Sequence, residues 1–148
     1  MLEEIKSSSL APYKIPGYRS SSESQITRSK RILIVDDNVD VRLSLADILI
    51  NEGFKVGTAK NGLEGINYLS RHDLPDLILL DLSMPIMDGY DLMEKIRERS
   101  DLRKIPVIII SGEVDEARIK ELAMDKLELL EKPVDFKKFV DVVDKATF

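Results

Sequence analysis

Short apolar runs alternate with helix-spaced apolar positions along most of this chain. "ILIV" (residues 32–35), "LILL" (Leu77–Leu80) and "VIII" (residues 107–110) are uninterrupted apolar stretches. That length and composition predict strands buried on both faces. Between them the period changes. Val41, Leu45, Ile48 and Leu49 share one helical face after a capping Asn38 or Asp40, and Gly53 stops the pattern. Phe54, Val56 and Thr58 alternate as a second strand. Leu63, Ile66 and Leu69 space a second helix; Leu92, Met93 and Ile96 mark a third. Residues 114–124 carry a less cleanly patterned fourth helix, and residues 127–130 a fifth strand. Phe136, Phe139, Val140 and Val143 follow the i, i+3, i+4, i+7 rule for a fifth helix capped by Asp135.

Strand-then-helix alternation with near-continuous apolar strands predicts an α/β fold. The expected architecture is a doubly wound, five-stranded parallel sheet, order 2-1-3-4-5, with five helices covering both faces. Residues 1–30 break the pattern. They hold two Ser-Ser-Ser runs with Pro12, Pro16 and Gly17 between them. Such composition buries too little apolar surface to offset ordering entropy, so a flexible N-terminal tail or linker is expected there. Residues 31–148 form the single domain.

Composition narrows the function. The chain of 148 residues has no cysteine, which excludes disulfides and thiolate metal sites. It has no apolar run long enough to span a bilayer and no signal-peptide core in its first thirty residues. These features predict a cytoplasmic protein without membrane contact. Charge is uneven: residues 1–30 carry five basic and three acidic groups, whereas the rest carries 17 basic and 24 acidic. An acidic body argues against direct nucleic-acid binding, which needs clustered Lys and Arg.

The candidate chemistry lies at the strand ends. "ILIV" runs into Asp36 and Asp37, and "LILL" into Asp81. In a doubly wound sheet, ligands sit beyond the carboxyl ends of the strands where the order reverses. Strands one and three are neighbours there, so the three carboxylates should converge. Close carboxylates raise one another's pKa unless something neutralises them. A hard divalent cation does so, and oxygen-only ligands favour Mg²⁺ over zinc. Ser111 ends the fourth strand and Lys132 follows the fifth, on the same rim. A hydroxyl and an ammonium facing a metal-bound carboxylate make a receptor for a phosphoryl group. One strand-end Asp is usually an ordinary turn residue; three at two adjacent strand ends, with Ser111 and Lys132, are a site.

The strings "LIVDDN", "LILLDLSMPIMDG", "IIIS" and "EKP" stand in an order that resembles the receiver domain of two-component response regulators over roughly residues 31–146. The resemblance implies that Asp81 is the phosphoacceptor. It implies that Asp37 ligates Mg²⁺, that Asp36 helps directly or through water, and that the Ser83 backbone carbonyl is the third protein ligand. Ser111 and Lys132 then bind the incoming phosphoryl oxygens, and the Lys132–Pro133 bond is cis. The implied donor is a histidine kinase or histidine phosphotransfer protein, and the implied output is a downstream protein effector. No turnover of a separate substrate is expected; the domain catalyses only its own phosphorylation and dephosphorylation. With two residues after the expected helix end at Ala146, no C-terminal output domain is expected.

Some positions depart from the family pattern. Gly65 and Gly112 stand where Ala is common, "AMDK" (residues 123–126) replaces a Gly-containing turn, and Leu129 occupies a position where many members carry a switching Tyr or Phe. His72, in the polar "SRHDLPD", is expected at the surface. Two rivals fit less well. An aspartyl-phosphate hydrolase of the haloacid-dehalogenase type expects Asp-x-Asp, not adjacent Asp36–Asp37. A flavin carrier needs a Ser/Thr/Gly-rich phosphate loop where this chain places acids that repel phosphate.

Overall fold

Alternation within the buried strands splits the apolar residues into two cores. In the computed structural model, which describes residues 4–5 and 29–148, the elements are β1 (Glu4–Ile5), β2 (Arg31–Val35), α1 (Val39–Asn51), β3 (Lys55–Ala59), α2 (Gly62–Arg71) and β4 (Leu77–Leu80). They continue with α3 (Gly89–Glu98), β5 (Val107–Ser111), α4 (Glu116–Leu122), β6 (Leu127–Glu131) and α5 (Phe136–Thr147). Leu33, Val35, Ile78, Leu80, Val107 and Ile109 face α2, α3 and α4. Ile32, Ile34, Leu77, Leu79, Ile108 and Ile110 face α1 and α5. Successive strand residues point to opposite faces, so a sheet covered on both sides needs an unbroken apolar run. Each fully buried Leu or Ile contributes about 1.5–3 kcal/mol.

The sheet order is β1-β3-β2-β4-β5-β6. The five strands from Arg31 onward are parallel and in the expected 2-1-3-4-5 order. The sixth strand, β1, pairs antiparallel with β3 (Glu4 with Gly57, Ile5 with Val56). Sequence periodicity had no means of locating a two-residue strand, because an alternation cannot be read over two positions. The remaining tail expectation, for residues 1–3 and 6–28, lies outside the described residues. Among the described residues, no helix is long and apolar enough to cross a membrane.

Helix starts follow the sequence signals. Asn38 caps α1 through its side-chain oxygen to the Val41 N–H, Asn61 caps α2, Asp88 caps α3 and Asp135 caps α5. Four details differ from expectation. Helix α4 spans only Glu116–Leu122, because Asp115 caps it late and Ala123 leaves it in the left-handed region (φ 49°). Leu63 and Phe136 are 45% and 52% exposed, since each lies in the first turn of its helix, beyond the packed layer. Tyr68, with Gly65 and Leu69, fills the α2 interface instead. His72 is half-buried and stacks on the Tyr68 ring at 4.0 Å. The fifth expected strand, β6, takes the edge place that the expected order gives it but is not buried on both faces: only Leu130 is buried in it, and Leu129 is 42% exposed.

Candidate functional site

Strand register brings the acids together. β2 pairs with β4 so that Val35 lies beside Leu80. The next residue on each strand is an aspartate, and the Asp81 N–H donates to the Val35 carbonyl at 2.9 Å. Asp36, Asp37 and Asp81 each offer a carboxylate oxygen, and these lie within 4.8 Å of one another. Asp36 and Asp81 are buried and Asp37 is exposed, so the cluster opens to solvent on one side.

Lys132 sits among them. Its ammonium is 3.1 Å from Asp36 Oδ2 and 3.6 Å from Asp81 Oδ2. The Lys132–Pro133 bond is cis, as expected. The Lys132 N–H donates to the Ser111 carbonyl at 3.1 Å, which ties the end of β6 to the end of β5. Burial pushes the Asp81 carboxyl above the usual 3.8, and the Asp36 charge adds to it; Lys132 and the Ser83 backbone N–H pull it back, and Asp37 raises it again. One ammonium beside three carboxylates leaves excess negative charge in an oxygen-only donor set. That set could hold a metal ion.

Ser83 therefore enters the site through its backbone, with its N–H directed at Asp81. Ser111 is buried on the same rim, and its hydroxyl is engaged within its own loop: it donates to the Glu113 carbonyl at 3.1 Å. Sequence reasoning placed Ser111 on the rim but did not find its present partner.

Two contributors were missed. Arg42, on α1, donates to the Asp36 carbonyl at 2.7 Å and fixes the turn that holds the acids. A basic residue six positions after the first acid, one turn into the following helix, was the available signal. Tyr90 accepts a hydrogen bond from the Asp115 N–H at 2.7 Å, spanning from α3 to the β5–α4 loop. Nothing in local periodicity marks a contact between residues so far apart in sequence.

The family model for the response regulator receiver domain matches residues 32–144. This chain belongs to that family. It is 35% identical over 121 residues to a probable transcriptional regulator, ycf29, of Porphyra purpurea, covering 81% of this chain and 57% of that protein. It is 31% identical over 118 residues to sporulation initiation phosphotransferase F of Bacillus subtilis, covering 79% and 93%. A response regulator receiver protein from Pseudomonas putida superposes with a TM-score of 0.73 at 29% identity, covering 80% of this chain and 98% of that one. The receiver domain thus spans little more than half the length of the algal regulator.

Proposed function

We propose that Asp81 accepts a phosphoryl group from a phosphohistidine, supplied by a histidine kinase or histidine phosphotransfer protein of a two-component relay. The observation that carries this reading is the convergence of Asp36, Asp37 and Asp81 within 4.8 Å, beside the Lys132 ammonium, at the ends of neighbouring strands. A carboxylate oxygen of Asp81 attacks phosphorus; the P–N bond breaks and its electron pair returns to the donor imidazole. The Lys132 ammonium, now on Asp36 and Asp81, turns to neutralise the incoming phosphoryl oxygens. Ser111 releases the Glu113 carbonyl and donates to one of them. Asp36, Asp37, Asp81 and the Ser83 carbonyl would hold Mg²⁺, which would supply positive charge to offset the negative charge of the phosphoryl oxygens. The B. subtilis relative, named a phosphotransferase, and a 36% identical segment of the sensor histidine kinase TmoS of Ectopseudomonas mendocina support a relay context. In this reading the domain works in the cytoplasm, signals to a downstream protein and turns over no separate substrate.

The test is intact mass after incubation with acetyl phosphate and Mg²⁺. The parent gains one phosphate and Asp81→Asn gains none. A phosphorylated Asp81→Asn refutes the assignment. Steady release of phosphate from a generic phosphate ester favours the hydrolase instead.

A further inference from the structure

The β5–α4 loop is held at both ends by hydrogen bonds that have different owners. At its start, the Ser111 hydroxyl donates to the Glu113 carbonyl. At its end, the Asp115 N–H donates to the Tyr90 hydroxyl at 2.7 Å. Asp115 also caps α4, its carboxylate accepting from the Ala117 and Arg118 N–H groups. The Arg118 guanidinium lies over the Tyr90 ring at 3.9 Å. Tyr90 therefore grips both the loop end and the first turn of α4.

Tyr90 is also close to Asp81 through the backbone. It follows Gly89, where a Cβ would lie 2.5 Å from the Asp81 carbonyl oxygen, so α3 starts in direct contact with the acceptor residue. The ring has somewhere to go. A cleft of about 200 Å³, lined by Tyr90, Glu94, Arg97, Arg118, Glu121 and Leu122, lies between α3 and α4. Leu129 has no hydroxyl or ring with which to grip the loop from the other side.

We propose that the Tyr90 hydroxyl is a latch that positions the β5–α4 loop in its resting state, so that Ser111 must work against it to reach a phosphoryl group. Tyr90 is a positioning residue: it touches the loop, not the reacting atoms. The coupling to Ser111 rests on the phosphoacceptor reading; the latch itself does not.

Tyr90→Phe separates the hydroxyl from the ring, since Phe keeps the packing and the stacking on Arg118. Two measurements follow. In the unmodified protein, the Asp115 amide should exchange with solvent about two- to tenfold faster in Tyr90→Phe, while Leu92 and Met93 in α3 stay protected; that range is what one net hydrogen bond provides. With acetyl phosphate and Mg²⁺, Tyr90→Phe should be phosphorylated about two- to tenfold faster than the parent, because the loop is already released. An unchanged Asp115 exchange rate overturns the latch, whatever the phosphorylation rate does. Faster exchange with equal or slower phosphorylation overturns the coupling. A parent chain that takes up no phosphate sinks the phosphoacceptor reading and the coupling with it, and the exchange measurement alone then decides the latch. A purely packing role for Tyr90 leaves Tyr90→Phe silent in both and also overturns it.

Discussion

Two loops flank Asp81, and they are built on opposite principles. The β4–α3 loop is locked by close contact. The Gly89 N–H donates to the Leu82 carbonyl at 2.9 Å, and the Asp81 and Leu82 backbones leave no room for a Cβ there. Gly62 donates to the Met87 carbonyl at 2.8 Å, which pins the loop to α2. The β5–α4 loop has none of this. A Cβ added at Gly112 would meet nothing within 4 Å, and two hydrogen bonds to Ser111 and Tyr90 hold the segment. Asp81 is thus carried by the side that has no room to move, and the Ser111 hydroxyl by the side that does. Interiors resist small displacements, whereas a loop held by a few hydrogen bonds opens locally at low free energy.

The largest effect should come from giving both loops the same extra methyl group. At Gly89 the Cβ would sit 2.5 Å from the Asp81 oxygen and 2.8 Å from the Leu82 Cα, and neither backbone atom can turn aside. Gly89→Ala should lose about 3 kcal/mol in urea unfolding, at the upper end of overpacking. Gly112→Ala should change stability by no more than about 0.5 kcal/mol. Equal losses at the two sites break the comparison.

The next effect concerns the charge that the rigid side holds in place. The folded Asp81 carboxyl titrates above its usual 3.8, chiefly through burial and Asp36. A raised acid binds its proton more tightly when folded, so the protein loses stability as pH climbs from 3.8 through the raised value. Near neutral pH, without divalent cation, Asp81→Asn should melt higher than the parent. The gap should close below pH 3.8, and added Mg²⁺ should narrow it from the parent's side. A parent that melts above Asp81→Asn near neutral pH without metal contradicts the charge argument.

The rigid side was largely legible in the sequence and the mobile side was not, for one physical reason. Buried strands announce themselves as apolar runs, and the acids are their next residues, so the order 2-1-3-4-5 sufficed to bring Asp36, Asp37, Asp81 and Lys132 together. Where hydrogen bonds between polar side chains and remote backbone decide the geometry, periodicity is silent. It placed Ser111 on the rim but missed its Glu113 partner, and it gave no sign of Tyr90 reaching Asp115. Helix α4 was read too long for the same reason: its start is set by the Asp115 side chain and its end by a left-handed Ala123. Leu63 and Phe136 satisfied the helical period yet stay exposed, because a period locates a face and not how far the covering layer extends.

A smaller effect is expected at the tip of the locked loop. Ile86 is β-branched, has φ 72° and is 79% exposed. The Met87 N–H donates to the Pro85 carbonyl at 2.8 Å, so Ile86 is the centre of a strained γ-turn and recovers little of the cost through burial. Glycine has no Cβ to oppose a positive φ, so Ile86→Gly should stabilise the fold by about 1 kcal/mol in urea unfolding, the relieved strain exceeding the freedom added to the unfolded chain. No gain would mean that the Ile86 side chain contributes to packing more than its exposure indicates.

The smallest effect should lie at the far end of the mobile side. Helix α4 has seven residues, of which only Leu122 is buried, and it ends on Ala123 at φ 49°, ψ 44°. Glycine suits that position because it has no Cβ to crowd the following carbonyl. Ala123→Gly relieves the strain but also adds freedom to the unfolded chain, and the two partly cancel. The net gain should be about 0.5 kcal/mol, read as a small rise in melting temperature. Its location is more informative than its size. The Ala123 N–H already donates to the Lys120 carbonyl at 3.2 Å, so a relaxed cap should slow amide exchange in the last turn of α4 alone. Exchange at Asp115, at the other end of the helix, should not change, because the Tyr90 hydroxyl governs that end. If Ala123→Gly also protects Asp115, then α4 moves as one rigid piece, and the freedom of the β5–α4 loop is set by the helix rather than by its two hydrogen bonds.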